Sequence, residues 1–174
     1  MGVLAIFDAQ GTWGKTHVCD HLMHKNLQAL GVRWGRQEID AARRVDADRL
    51  VQSHALWGTS SVERIRRVPE DGRLQYHARG ALVVHWVQEG TLLAYLQAND
   101  GHVGVLCEAG EWLAIPADLA YALDAGESPD LDLLVLSAAG SGPSEIQNLA
   151  LHGLPSHDAF VETMLQMTGY AGEE

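Results

Sequence analysis

Three side chains suited to proton transfer or anion binding lie close together in the segment 77–85. The segment reads H-A-R-G-A-L-V-V-H, so that His77 and His85 enclose Arg79. Imidazoles serve as general bases or metal ligands, and a guanidinium is a permanent cation that binds carboxylates and phosphates. On a continuous strand the side chains of these three residues would share one face, because strand side chains alternate. Trp86, out of phase with His85, is predicted to face outward beneath a helix, a loop or a partner subunit.

Short apolar runs separated by turn residues surround this segment and predict a mainly β fold. The turn signal Asn99-Asp100-Gly101 indicates a hairpin, because Asp and Gly tolerate the positive φ of tight turns. Many short strands at this spacing are typical of a β-barrel or sandwich, here with flanking helices. Strands are predicted at 3–7, 32–36, 74–79, 81–88, 92–97, 102–107, 112–115, 119–123 and 131–137, and helices at 41–56 and 158–168, the last with Ser156 as its N-cap.

A further helix is predicted from Thr16, its N-cap, to Leu30, because apolar residues recur there at helical spacing. His17, His21 and His24 would then share one face of this helix. A solvated polar face explains them better than a metal site does, since no carboxylate or cysteine second shell is visible in the spacing.

The composition is that of one soluble globular domain. The chain has 174 residues, of which 47% are hydrophobic and 20% charged, and its formal net charge is −11. Such an acidic chain has no basic stripe to release counterions, so nucleic acid and anionic membranes are excluded as partners. No apolar run approaches the about 20 residues of a transmembrane helix, and a cytoplasmic location is expected.

Cys19 and Cys107 are predicted to be reduced and buried, because two distant cysteines make no disulfide framework. A single domain is predicted over 1–174, with an N-terminal strand and helix cap at 1–72, a barrel core at 73–137, and a connector and C-terminal helix at 138–174.

Two segments with regularly placed glycine, proline and polar residues carry a family resemblance. The first is H-A-R-G-A-L-V-V-H-W-V-Q-E-G at 77–90, and the second is G-E-W-L-A-I-P-A-D-L-A-Y at 110–121. With L-A-I-F-D at 4–8, L-Q-A-L-G-V-R-W-G-R-Q-E at 27–38 and D-A-G-E-S-P-D at 124–130, they make the chain resemble the acireductone dioxygenase family of cupins. The resemblance implies a cupin barrel, which is a double-stranded β-helix or jelly roll. The frame positions kept are Gly90, Gly110 and Pro116, and Asp118 stands where the pattern has a further glycine.

The resemblance also implies one Fe or Ni ion inside the barrel, bound by three His and one Glu. In this sequence the first His position is His77, and the second is Arg79. The Glu position is Val83, the last His position is Tyr121, and His85 stands where the family has a substrate-contacting Arg. Arg79 has no lone pair to donate and would repel an ion roughly 4 Å away by several kcal/mol even at an effective dielectric of about 20. The family's metal chemistry is therefore predicted to be lost, and no cofactor is expected.

Three functions remain open for this interior. In the first, it binds a small anionic molecule, or catalyses a metal-free reaction in which an imidazole is the general base and Arg79 stabilises an oxyanion. In the second, Fe or Ni is held by a rebuilt set in which His77 and His85 are joined by Tyr121 or by another donor such as His102, and the protein is a dioxygenase-like oxidoreductase. In the third, the barrel is filled and the protein is a non-catalytic assembly or regulatory subunit. The family likeness also allows a homodimer. The candidate catalytic residues are His77, Arg79, His85 and Tyr121.

Overall fold

The folded chain consists mainly of short antiparallel strands. A computed structural model describes residues 2–36, 57–65, 77–79, 81–126, 131–137, 143–146 and 153–168. The strands in these ranges are β1 (Val3–Asp8), β2 (Trp13–His17), β3 (Arg33–Arg36), β4 (Ser61–Ile65), β5 (His77–Arg79), β6 (Val83–Glu89), β7 (Thr91–Ala98), β8 (Gly101–Glu108), β9 (Glu111–Ile115), β10 (Tyr121–Asp124), β11 (Asp132–Ser137) and β12 (Pro143–Ile146). The helices are α1 (Asp20–Gln28) and α2 (His157–Thr168).

Two antiparallel sheets are built from these strands. One sheet has seven strands in the order β12-β5-β10-β7-β8-β1-β2, and the other has five in the order β3-β9-β6-β11-β4. The predicted mainly β fold with flanking helices is confirmed. Because β1 and β2 lie in the larger sheet and β3 in the smaller, the N-terminal segment 1–72 supplies sheet strands in addition to α1.

Apolar side chains of both sheets form the core, and the alternation along β6 shows which face is interior. Val83 and Val87 belong to the main hydrophobic cluster, whereas Val84 and Trp86 belong to a smaller cluster on the opposite face. Trp86 is 4% exposed, and residues of the same chain, Trp112 among them, pack against its cluster. The outward direction predicted for Trp86 is confirmed, and its cover lies within the chain.

Most of the predicted elements are present. Each strand predicted between 81 and 137 lies within two residues of its expected ends, and the predicted turn joins β7 to β8. The closing helix is also confirmed as α2, where Ser156 Oγ accepts a hydrogen bond from the N–H of Ala159 at 3.3 Å. The predicted helix 41–56 and residues 74–76 lie outside the described residues. Within the described ranges, no helix has the length and apolar character needed to cross a membrane.

The helix predicted from Thr16 is wrong at its start. Residues 13–17 form β2, which pairs with β1 so that Thr16 stands opposite Ala5. The Thr16 hydroxyl accepts a hydrogen bond from the indole Nε1 of Trp13 at 2.6 Å, while Cys19 is the N-cap of α1 and makes no side-chain capping bond. Pairing with β1 gives the backbone N–H and C=O groups in residues 13–17 their hydrogen-bond partners. This tertiary contact outweighs the helical spacing of the apolar residues that predicted a helix.

The three histidines of that prediction do not share a helix face. His17 ends β2, whereas His21 is exposed on α1 and His24 packs on Trp34 with ring centroids 5.3 Å apart. In the part of the chain that the structure describes, no three His, Cys, Asp or Glu residues form a group that could hold a metal ion.

The first signature segment is divided between two strands, in agreement with the separate strands predicted at 74–79 and 81–88. Strand β5 ends at Arg79 in the seven-stranded sheet, and β6 begins at Val83 in the five-stranded sheet. His77 and Arg79 therefore lie on one strand and His85 on another, so the shared face that a continuous strand would give them is not formed. Two packed sheets need segments that pass from one to the other, and this is such a passage.

Three frame positions of the signature segments have left-handed backbone. The φ angles are 80° at Gly90, 91° at Gly110 and 66° at Asp118. Glycine adopts this region freely, whereas most other residues are strained there by about 1–2 kcal/mol. Asp tolerates it better than most because its short side chain can bond locally. Asp118 therefore adopts a backbone conformation that glycine favours.

Polar contacts fix the N-terminus of α2 to the seven-stranded sheet. The Asp124 carboxylate accepts the backbone N–H of His157 at 3.0 Å and that of Gly126 at 2.9 Å. His157 Nε2 and the hydroxyl of Thr91 are 2.7 Å apart. A carboxylate at a helix N-terminus also interacts favourably with the helix dipole. These contacts fix where the helix meets the sheet.

Aromatic contacts complete the attachment of α2. Phe160 stacks on Trp13 with ring centroids 4.8 Å apart and lies 6.5 Å from Phe7. Tyr95 donates a hydrogen bond to the carbonyl oxygen of Pro155 at 2.5 Å, and its ring lies edge-on to Phe7 at 5.7 Å. Burial raises the pKa of the Tyr95 phenol, with a smaller contribution from the Asp124 charge. The last helix thus packs on the first hairpin.

Both cysteines are free, but only one of them is buried. Cys107 is buried on β8, and burial raises the pKa of its thiol. Cys19 is exposed, so the burial predicted for it is wrong. The reason is its place at the start of α1, because helix ends of this kind lie at the surface where water satisfies free backbone groups.

Candidate functional site

A buried imidazole and a buried phenol meet in the interior of the two-sheet fold. His85 lies on β6 of the five-stranded sheet, and Tyr121 lies on β10 of the seven-stranded sheet. Their side chains are 3% and 0% exposed, and His85 Nε2 is 3.3 Å from the Tyr121 hydroxyl. The rings lie edge to face, with centroids 5.5 Å apart. The two candidate residues therefore contact each other across the interior, although they are distant in sequence.

The third candidate, His77, lies on the strand next to Tyr121. Strands β5 and β10 pair antiparallel with His77 directly opposite Tyr121. Arg79 follows two positions along β5, where its backbone pairs with Pro143 of β12. The side chains of His77 and Arg79 lie outside the described part of the structure. The fold thus brings the backbone of the first candidate segment beside the His85–Tyr121 pair.

The residues at the family's metal-ligand positions do not fit its four-ligand set. Val83 stands at the Glu position, is fully buried in the main hydrophobic cluster, and has no donor atom. Tyr121 stands at the last His position, and its hydroxyl lies at hydrogen-bond distance from His85. Iron and nickel sites need several nitrogen or oxygen donors around one ion. The described residues do not supply the arrangement of three His and one Glu.

A second polar cluster was missed by sequence reasoning. The Thr91 hydroxyl contacts Nε2 of His157, and Nδ1 of His157 lies 3.0 Å from Oδ1 of Asp158, in the order hydroxyl, imidazole, carboxylate. A Cβ added at Gly126 would lie only 2.8 Å from His157 Nδ1 and 2.7 Å from Asp158 Oδ1, so backbone closes that side. With Asp124 bonded to the same helix end, the cluster anchors α2. No local sequence pattern predicts this cluster, because Asp124 and His157 are distant in sequence and are brought together by the fold.

Two further buried carboxylates are bound by arginines of their own. Glu111 is 2% exposed and accepts the Nε–H of Arg36 at 3.2 Å and the backbone N–H of Glu108 at 2.7 Å. Burial raises the pKa of Glu111, and the Arg36 charge opposes part of that rise. The Asp132 carboxylate accepts two hydrogen bonds from Arg64, one from Nε at 2.8 Å and one from Nη2 at 2.5 Å. These pairs hold strand ends together and supply no free donor to the interior.

The similarity of this chain to known proteins lies in its structure. No protein-family model matches the sequence, and a search of curated proteins found no match. An acireductone dioxygenase from Bacillus anthracis, solved with a cadmium ion in its active centre, superposes with a TM-score of 0.65 at 12% identity. The superposition covers 83% of this chain and 98% of that chain.

Two other solved structures are more weakly similar. A sugar 3,4-ketoisomerase from Thermoanaerobacterium thermosaccharolyticum in complex with TDP has a TM-score of 0.46 at 17% identity, covering 78% of this chain and 96% of its own. An oxalate decarboxylase variant from Bacillus subtilis has a TM-score of 0.42 at 16% identity, covering 78% and 32%. Scores this low support no conclusion, and identity of 12% to the dioxygenase supports a common fold without a common activity. The sheet topology and the superposition on the dioxygenase together identify the chain as having the cupin fold.

Proposed function

We propose that the interior of the barrel binds a small anionic molecule through His85 and Tyr121. The observation that carries this proposal is the contact between their side chains at 3.3 Å, both almost fully buried within an otherwise apolar core. Burying a polar group costs free energy unless it is bonded, and a filled barrel is more simply built from apolar residues. The presence of a polar pair among apolar neighbours supports a binding role for this interior.

Residues of β5 complete the proposed site. His77 stands opposite Tyr121, and the sequence places the permanent cation of Arg79 two positions further along the same strand. A guanidinium binds carboxylate, phosphate or enolate oxygens through its planar fork. If the site is catalytic, His77 or His85 acts as general base and Arg79 stabilises a developing oxyanion. This division of roles requires no metal ion.

A thermal-shift experiment tests anion binding. Oxalate and inorganic phosphate are the probes, and a ligand present at about 100 times its Kd stabilises the fold by about 2.7 kcal/mol. For a chain of this length the melting temperature should then rise by about 5–10 °C. Arg79→Gln and Tyr121→Phe should reduce the rise. Lys15→Gln, which removes an equal charge from an exposed position on β2, should keep it. A rise that persists in Arg79→Gln, or no rise with either probe, would contradict the proposal.

A rebuilt metal site is the second candidate function. Two ligands bound to one ion at about 2.1 Å are about 3.0–3.4 Å apart, and the His85–Tyr121 separation of 3.3 Å lies in this range. His77 would be the third donor, and the protein would be a dioxygenase-like oxidoreductase that uses Fe or Ni. Elemental analysis of protein purified without chelator decides between the two candidates. Stoichiometric Fe, Ni, Mn or Zn, lost in His85→Phe, would favour the metal site.

A non-catalytic role is the third candidate. It would follow if protein purified without chelator held no metal and neither anion raised the melting temperature. The protein would then act through its surface, as an assembly or regulatory subunit.

A further inference from the structure

A groove of about 580 Å³ lies beside the edge strand β3, and neither His85 nor Tyr121 lines it. Its volume is in the range of small-molecule sites. Trp34 and Trp112 contribute apolar walls, and His24 and Gln28 of α1 contribute polar groups. The groove therefore combines the two kinds of surface that a small polar aromatic ligand needs.

The aromatic walls of the groove are held in place by their neighbours. Trp112 packs edge-on against Trp57 with ring centroids 4.8 Å apart. A Cβ at position 35 would lie 2.4 Å from Cζ2 of Trp112, so glycine there lets the indole rest against the backbone of β3. Trp34 is 2% exposed, and its indole Nε1 has no acceptor among the described residues. The His24 ring and the Arg36 guanidinium both lie against the Trp34 indole, so the partly exposed Trp112 is the wall on which a planar ring can stack.

Arg33 supplies a positive charge at the same place. Three arginines have side chains that the structure describes; Arg36 is paired with Asp20 and Glu111, and Arg64 is paired with a carboxylate as well. Within that described set, Arg33 is the arginine without a carboxylate partner, and its guanidinium carbon lies 4.7 Å from the centroid of the Trp57 ring. Stacking limits the motion of the guanidinium, so less entropy is lost when it binds an anion.

We propose that this groove binds a small molecule carrying one aromatic ring and one anionic group. The ring lies against Trp112, and the phosphate or carboxylate contacts Arg33. Gln28 and His24 are placed to bond polar atoms on the rim of the ring. Nucleotides and aromatic carboxylates share this chemistry. The groove is separate from the proposed interior site and does not depend on it.

Isothermal titration calorimetry on the full chain tests the groove. Adenosine monophosphate and benzoate are the two probes, one for each source of the shared chemistry. Adenosine keeps a ring without the anion, and inorganic phosphate is an anion without a ring. Arg33→Gln should weaken binding of the responding probe by about tenfold to a hundredfold, the usual loss for a hydrogen bond to a charged group. Trp112→Leu should weaken it by about tenfold, since ring stacking is lost.

Matched controls separate the groove from general electrostatics and from misfolding. Lys15→Gln removes an equal charge from exposed β2 and should leave the dissociation constant within about twofold. Trp112 packs against the smaller hydrophobic cluster around Trp86, so the melting temperature of Trp112→Leu is measured first. Arg33 is exposed, and Arg33→Gln decides the test if Trp112→Leu is unstable. Binding of one or both probes that Arg33→Gln weakens supports the proposal and identifies the source. No binding of either probe, equal affinity for adenosine or phosphate, or an unchanged constant in Arg33→Gln overturns it.

Discussion

Asp124 is the residue whose replacement tests most directly how the barrel holds its last helix. Its carboxylate is 8% exposed and accepts the backbone N–H groups of Gly126 and His157. A hydrogen bond to a charged group contributes about 1.5–3 kcal/mol, so at the lower value for each of the two bonds Asp124→Ala should lower the free energy of unfolding by about 3 kcal/mol. In a chain of this size about 1 kcal/mol corresponds to 2–4 °C, so the melting temperature should fall by about 6–12 °C.

Thermal unfolding followed by circular dichroism measures this loss, and hydrogen exchange of residues 157–168 shows whether α2 loosens first. Asp124→Asn keeps one acceptor oxygen and should lose about half as much. Glu162→Gln removes the same charge from an exposed position of α2 and should leave the melting temperature within about 2 °C. If Asp124→Ala also melts within about 2 °C of the unmodified protein, the carboxylate does not hold the helix.

Three further predictions concern single residues outside the interior site. Asp118→Val should lose about 1–2 kcal/mol in urea unfolding because φ there is 66°, whereas Asp118→Gly should lose none; equal losses would contradict this. DTNB should react with Cys19 in the folded protein and with Cys107 only after unfolding, since Cys107 is buried and its thiol pKa is raised; fast reaction at both would exclude this. Burial lowers the pKa of His102 below 6.5, so the fold favours its neutral form, and stability should fall as pH drops from 6.5 through the folded pKa. The slope is at most about 1.4 kcal/mol per pH unit, and His102→Gln should flatten it; an identical slope in the variant would rule the effect out.

The strands of the barrel could be predicted from local patterns because each is a short apolar run bounded by a turn. Strand β2 could not, since W-G-K-T-H has little apolar character and becomes a strand only through its pairing with β1. The same limit applies to the passage between sheets after Arg79. Which side chains share a face can be predicted along a single strand from the local sequence. The sheet to which each strand belongs depends on partner strands far along the chain.

The candidate site was predictable in part. The sequence frame indicated both His85 and Tyr121, which meet although they belong to different sheets. It did not indicate the Asp124–His157 anchor or the groove beside β3, because both join residues whose separation in sequence carries no periodic signal. Contacts of this kind depend on the closed topology.

The packing of Phe160 on Trp13 has a consequence for biosynthesis. Trp13 leaves the ribosome 147 residues before Phe160 (160 − 13), which at about 5–20 residues per second is a delay of roughly 7–30 s. Throughout that interval the indole and the neighbouring Phe7 ring lack their final cover. A nascent chain stalled before the last helix would therefore expose hydrophobic aromatic surface, which is the kind of surface that chaperones bind.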